Sequence, residues 1–578
     1  MNPIRIANCS GFYGDRLSAA REMVEGGPID VLTGDWLAEL TMLILARQRR
    51  RDPGRGYAHT FVTQIREVMA DCLERGIRVV SNAGGLSPAN CARAVSEVAD
   101  ELGLSPVIAW VEGDDLLPRL AELKAKGIPL AHLASGLPLP ERPVVAANAY
   151  LGAWGIAEAL GRGADIVITG RVADASLAAG PAAWRYGWGR NDWDRLAGAV
   201  VAGHVIECGA QATGGNYAFF EEVPGLEHPG FPIAEIYEDG SSVITKHSSH
   251  GGMVTTETVT AQLLYEIAGP RYLNPDVTAR FDSIRITQSE KDRVLIDGVS
   301  GEPPPPTAKV AVIYEDGWRS AATFYIAGLA VEEKASLVER SIASQLSSKV
   351  SLEIQLLRTD AGDPLTNESA LAQLRITARS PDRDLLAEGF SRKVIELALS
   401  SYPGFFVDRV PAVEENAPYW PALLPATELT QVVVIGSERI PVAATLAEPA
   451  PAEEPQAPLS LHAPHGELAS VPLGLIFGAR SGDKGGDCNL GVWARSAGGY
   501  AWLATNLTEE RLKALLPEIR PLPVERYLFP RLLAANFVIT GLLGQGVSTT
   551  SRLDAQGKSL GEWFRSRVID LPKELING

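Results

Sequence analysis

Long apolar runs, paired cysteines and surplus positive charge are all missing from this chain, and each absence removes a class of function. No apolar stretch approaches the ~20 residues that a membrane span requires, and Met1-Asn2-Pro3-Ile4-Arg5 runs straight into a strand-like segment with no signal-peptide core. The five cysteines, Cys9, Cys72, Cys91, Cys208 and Cys488, are odd in number and widely spaced, without a Cys-x-x-Cys pair. A structural zinc site is therefore not expected, and a reducing cytoplasm is the natural setting. A net charge of −17 argues against binding to nucleic acid or to an anionic membrane. It leaves room for an anionic small molecule held by a local group of arginines. Neither a dinucleotide fingerprint nor a Walker loop is present, which disfavours nucleotide chemistry.

What remains is globular. With 46% apolar and 21% charged residues, 578 residues predict a soluble protein of about three or four domains. Apolar runs at 4–8, 29–32, 77–81, 107–111, 144–148 and 166–169 read as strands, and most intervening stretches read as helices. This alternation predicts an α/β domain with a parallel sheet over 1–203, either open and doubly wound or a barrel; the lack of an eighth repeat favours the open sheet. From residue 204 glycines, aromatics and β-formers take over, predicting a closely associated α+β middle region over 204–445. Pro449, Pro451, Pro455, Pro458 and Pro464 mark 446–470 as a semi-extended linker. The last stretch, 471–578, has the size of a small α+β domain. Strands are expected there at 473–477, 500–503 and 536–542, and helices at 508–515 and 525–534.

In a parallel sheet the loops beyond the carboxyl ends of the strands share one edge, and ligands bind there. These loops carry Asn8, Ser10 and Gly11, then Asp35, then Asn82, Gly84 and Gly85, and finally Thr169, Arg171 and Asp174. The last group is delivered by Ile166-Val167-Ile168, a β-branched run suited to a strand buried on both faces. Asp35 or Asp174 has the chemistry of a general base, and Arg171 with the amides around Gly84 and Gly85 that of an anion holder. Plainer roles stand beside these: Asp174 as a helix cap, Arg171 paired with a surface carboxylate, and Ser87 capping a helix that begins at Pro88.

Glu207, close to His204 and Cys208, can act as acid or base, with a buried structural cysteine as the alternative. His247 and His250 have His-x-x-His spacing but no third ligand in register, so no metal and no cofactor is expected. That leaves His250 either an acid–base or a loop-stabilising role. The densest polar motif is Ala-Arg-Ser-Gly-Asp-Lys-Gly-Gly-Asp-Cys-Asn-Leu-Gly at 479–491. Arg480, Asp483, Lys484 and Asn489 are its candidates for anion binding. The motif is longer than a hairpin turn needs, although a tight hairpin with salt-bridged charges is the alternative.

Several of these segments together resemble one family: Ile-Ala-Asn-Cys-Ser-Gly-Phe-Tyr-Gly-Asp, Asp-Val-Leu-Thr-Gly-Asp-Trp-Leu-Ala-Glu, Ser-Asn-Ala-Gly-Gly, Val-Ile-Thr-Gly-Arg-Val-Ala-Asp-Ala-Ser and His-Gly-Gly-Met-Val. They are similar to the acyclic terpene utilisation (AtuA-like) proteins, and the 480–491 segment resembles that family's small ferredoxin-like C-terminal domain. The resemblance implies a part in the breakdown of citronellol- and geraniol-type branched acids as CoA thioesters, alongside acyl-CoA carboxylases. It transfers no catalytic residues. The expectation is a cytoplasmic enzyme, of lyase or hydratase type, acting on a carboxylated acyl-CoA or related branched acid. It is expected to be a homo-oligomer whose partner is that small molecule, with neither nucleic acid nor membrane. The alternative is a non-catalytic subunit or scaffold of an acyl-CoA carboxylase-like complex.

Overall fold

The computed structural model describes residues 2–448, 461 and 463–577. Most of the proline-rich stretch read as a linker thus lies outside the described residues. Five strands form a parallel set: β1 (Ile4–Asn8), β2 (Val31–Gly34), β3 (Arg78–Ser81), β4 (Ile108–Glu112) and, beyond the separate β5 (Val144–Ala149), β6 (Ile166–Thr169). Their order across the sheet is β1-β2-β3-β6-β4.

Alternation along β6 shows why an uninterrupted apolar run is required. Ile166 and Ile168 pack with the helices His59–Arg75 and Pro88–Leu102, whereas Val167 packs with Trp154–Gly161, Ser176–Tyr186 and Trp193–Glu207. Both faces are covered, so the sheet is open and doubly wound.

Antiparallel strands from the middle region extend this sheet on both sides. β7 (Pro232–Ile236) pairs with β1, β8 (Ser242–Lys246) pairs with β7, and Thr430–Ile435 pairs with β4. Among the described residues the sheet reaches eleven strands. Residues on either side of position 203 thus share one sheet.

β5 departs from the alternating pattern. It leaves the parallel set and pairs antiparallel with Thr307–Tyr314, which also pairs with Tyr419–Pro425. This places Asn148 and Tyr150 beside the loops after β4 and β6, where Asn148 Nδ2 donates to Asp114 Oδ2 at 2.8 Å.

The C-terminal domain is a four-stranded antiparallel sheet: Phe477–Lys484, Asp487–Ala494, Ala534–Ile539 and Val524–Phe529. Three expectations fail here: the strand expected at 473–477 is a 3-10 turn, Leu473–Leu475, ahead of the strand that starts at Phe477. Residues 500–503 lie in a helix, Ala497–Asn506, because Ser496 accepts a hydrogen bond from Gly499 N–H and starts a helix whose buried face holds Tyr500, Trp502 and Leu503. The helix expected at 525–534 is instead the strand Val524–Phe529, stopped by Pro530. The polar motif at 479–491 is a hairpin turning at Gly485-Gly486, not a long loop.

Close approach docks this hairpin on the middle region. A Cβ on Gly482 would lie 2.4 Å from the Tyr265 ring, and one on Gly491 2.5 Å from Leu264 Cβ. Asn489 then staples the two parts. Its Nδ2 donates to Leu264 O at 2.6 Å and Asn536 Oδ1 at 2.9 Å, and its Oδ1 accepts from Glu266 N–H at 2.9 Å. Asn489→Ala strands buried partners on both sides and is expected to cost about 3 kcal/mol. Thermal denaturation should show the loss, and limited proteolysis should release the C-terminal domain faster.

Candidate active site

The first loops after the strands are knit together around Asp35. Asp35 N–H donates to Ser10 O at 2.9 Å. Asp35 Oδ1 accepts from Leu37 N–H at 2.9 Å and from Asn82 Nδ2 at 2.5 Å, while Asn82 Oδ1 accepts from Trp36 N–H at 2.8 Å. Asn82 therefore positions Asp35. Burial and then the neighbouring charge of Asp174 push the Asp35 carboxyl well above the usual range, against the pull of Arg171 and Asn82.

Arg171 stands at the centre. Its Nη2 lies 3.1 Å from Asp174 Oδ1, its Nη1 donates to Leu37 O at 3.2 Å, and its guanidinium sits 4.1 Å from the centre of the Tyr150 ring. Its backbone N–H donates to Asp114 Oδ2 at 2.9 Å. Burial alone would discharge it, but Asp174, Tyr150, Asp35 and Glu39 outweigh burial and hold its pKa well above the ordinary value.

Glu39 opens the helix Glu39–Arg51 and faces Lys309 at 3.8 Å, with Lys309 Nζ 4.8 Å from the Tyr150 ring centre. Burial raises the Glu39 carboxyl, but Lys309 and Arg171 together with Tyr419 bring it below its usual value.

On the opposite wall His204 Nε2 lies 3.1 Å from Gln262 O, and its Nδ1 lies 3.2 Å from Glu207 Oε1. Burial lowers the imidazole to about 4 and lifts Glu207 well above its usual range. A neutral histidine that donates through Nε2 fits this arrangement, with Nδ1 buried and without a hydrogen bond. Glu207 Oε2 is left buried and unpartnered.

The C-terminal hairpin completes the enclosure. Lys484 Nζ donates to Glu266 O at 2.8 Å. Burial and then Lys309 push its pKa down to about 8, while burial with Glu266 and Glu39 pushes Asp483 up to about 8. Arg480 sits 4.5 Å from the Tyr265 ring centre and donates to Asn216 O at 3.0 Å, with its Nη2 buried and unpartnered. These groups lie deep in the protein, yet Lys309, Asp174 and Glu39 keep 34%, 27% and 24% of their side-chain surface accessible. They therefore line a chamber. A small crevice opens beside Glu39, Tyr419 and Asp483.

The structure thus gathers Asp35, Arg171, Asp174, Glu207, Asp483 and Lys484. His250 lies elsewhere: it packs near His228 and His247, its carbonyl accepts from Lys246 Nζ at 2.8 Å, and its Nδ1 meets Ser249 Oγ at 3.2 Å.

The glycine-rich loops build rather than bind. Gly11 N–H is taken by Asp15 Oδ2 at 2.9 Å, and a Cβ there would strike the Cys208 backbone. Gly85 N–H closes on Asn82 O at 3.1 Å in a turn packed against Leu45. A Cβ on Gly84 would lie 2.4 Å from Thr169 O. The Gly85 amide, expected to help hold an anion together with that of Gly84, closes this turn instead. Gly84→Ala is expected to push β6 from this turn and to lower stability by about 2 kcal/mol in calorimetry. Asn8, Ser10 and Thr169 likewise make local bonds, to Ser10 N–H, Phe12 O and Gly170 O.

The sequence reading missed Glu39, Lys309, Glu266, Tyr150 and Tyr419. Lys309 and Glu266 did carry a signal, each being a lone charge within an apolar run. Among the described residues no group of three or more His, Cys, Asp or Glu side chains is placed to hold a metal ion, and no helix is long and apolar enough to cross a membrane.

A family model described as acyclic terpene utilisation family protein AtuA matches residues 4–435, and one described as AtuA ferredoxin-like domain matches residues 471–570. No curated protein and no solved structure matches the chain.

Proposed function

Since the chain belongs to the acyclic terpene utilisation family, with the role in that process that membership implies, we propose that it is an enzyme acting on a branched, carboxylated acyl-CoA or the related acid by hydration, dehydration or C–C cleavage. The observation that carries this reading is the chamber, where Arg171, Lys309 and Lys484 meet Asp35, Asp174, Glu207 and Glu266 deep in the protein. Burying such charge costs several kcal/mol per ion, and a scaffold gains nothing by it. Anion binding and proton transfer do need it.

In this reading the substrate carboxylate docks against Arg171 and Lys309, which are held in place by the Tyr150 ring. Asp174, ion-paired with Arg171, takes the proton beside the substrate carbonyl. Asp35, kept protonated by burial and by Asp174, returns one. A carboxyl whose surroundings favour its protonated form is what the acid half of such chemistry requires. Lys484 faces the substrate carbonyl from the C-terminal hairpin.

Binding should be pH-dependent. With Lys484 brought down to about 8, the chamber loses a positive charge between pH 7 and 9, so affinity for a carboxylate falls over that range. Calorimetric titration with methylglutarate at both pH values measures this, and Lys484→Arg should flatten it. The reading itself is tested by thermal-shift measurements with methylglutarate and methylglutaryl-CoA. A ligand-dependent rise in Tm is expected; no rise with any branched acid or acyl-CoA contradicts it.

A further inference from the structure

Lys484 and Lys309 share the chamber but differ in what holds them. Lys309 faces the Glu39 carboxylate and the Tyr150 ring, and its pKa is raised: burial opposes the charge, but Tyr150 and Glu39 outweigh it. Lys484 Nζ donates to a neutral carbonyl, Glu266 O, at 2.8 Å. It sits at the tip of a rigid hairpin, pinned by Asn489 and by the contact of Gly482 with Tyr265. The residue is partly exposed, and Glu266 and Glu207 are near enough to act on it electrostatically. A desolvated lysine facing a second cation is the arrangement that frees an amine to act as a nucleophile.

Resting on the reading above, we propose that Lys484 is a covalent catalyst whose Nζ condenses with the ketone of a β-oxo acid, so that the substrate class is a β-oxo diacid and the reaction a C–C cleavage. The nitrogen lone pair forms the C–N bond while the carbonyl π pair moves to oxygen. Glu266, its carboxyl raised by burial, supplies a proton, and the oxygen leaves as water. Amine, ketone and one proton thus become iminium and water. The bond from the adjacent carbon to its carboxylate then breaks. Its electron pair moves into the iminium to give an enamine, and carbon dioxide departs. A proton from Asp35 to that carbon restores the iminium, and water adds to return the free amine and the ketone product, its released proton going back to Glu266. Arg171 and Lys309 hold the second carboxylate throughout. With a pKa of about 8, roughly a tenth of Lys484 is neutral at pH 7.

The test uses the full chain with acetonedicarboxylate as probe, followed by sodium borohydride, digestion and mass spectrometry. A single reduced-imine adduct is expected on the peptide that carries Lys484. It should be absent in Lys484→Arg and retained in Lys558→Arg. Trapping should speed up about tenfold from pH 7 toward a plateau above pH 8. The wild-type peptide map decides the point even if the Lys484 variant folds poorly. An adduct on other lysines with Lys484 unmodified overturns the proposal. So does calorimetric binding of the probe with no adduct, which leaves the acid-binding reading intact. Failure of the probe and of every branched acid to bind overturns both.

Discussion

Arg171→Met is expected to lower stability by about 3–5 kcal/mol and to abolish binding of branched acids. The guanidinium is 4% exposed and is the shared counter-charge of Asp174 and Glu39. Removing one member of a buried charged group leaves the others uncompensated, which is the expensive case. The methionine fills much of the volume over Tyr150, so the loss reports charge rather than a cavity. Chemical denaturation measures the first effect and calorimetric titration with methylglutarate the second. A variant within about 1 kcal/mol of wild type that still binds would mean that Arg171 is neither the counter-charge of its neighbours nor a ligand for the acid.

Asp35→Asn is expected to do the opposite to stability while removing activity. A carboxyl raised above its unfolded value binds a proton in the native state that the unfolded chain has released. Native stability therefore falls as pH rises from about 4 toward the raised native value. Asparagine does not titrate, so the variant should match or exceed the wild-type Tm at pH 7, with a flatter dependence of Tm on pH. Its Oδ1 can still accept from Leu37 N–H and Asn82 Nδ2. It cannot transfer a proton, and turnover should fall by about 10²–10⁴. Unchanged turnover would remove Asp35 from the chemistry. A fall in Tm together with unchanged binding would make it a loop-shaping residue.

Much of the architecture could be read from the chain because local rules produced it. The run Ile166-Val167-Ile168 is a strand buried on both faces, and Arg171 and Asp174 follow where a parallel sheet places them. Asp35 and Asn82 meet because β2 and β3 are adjacent and parallel. Partners brought in by long-range pairing were not readable. Lys309 arrives because its strand pairs with β5, and Glu266 because Asn489 binds its amide.

The C-terminal motif differs in form from its sequence pattern. Its polar residues suggested a loop, yet they sit on two paired strands. Its glycines serve contact with Tyr265 and Leu264 rather than with a ligand. Composition registers glycine but cannot distinguish an anion cradle from close packing. The helix at Ala497–Asn506 was hidden for a related reason: aromatic residues favour strands by propensity, and a single serine cap with tertiary burial overrides that preference.

In the proposed function the loops of the parallel sheet, the middle region and the C-terminal hairpin form one ligand site. Calorimetric titration of methylglutaryl-CoA into wild type, Lys309→Met and Lys484→Met tests it most directly, since both lysines line the chamber from different parts of the chain. The account predicts that each variant stays folded and loses affinity by about tenfold or more, near 1.4 kcal/mol. Wild-type affinity in Lys484→Met alongside a loss in Lys309→Met would contradict it, because the hairpin would then lie outside the site.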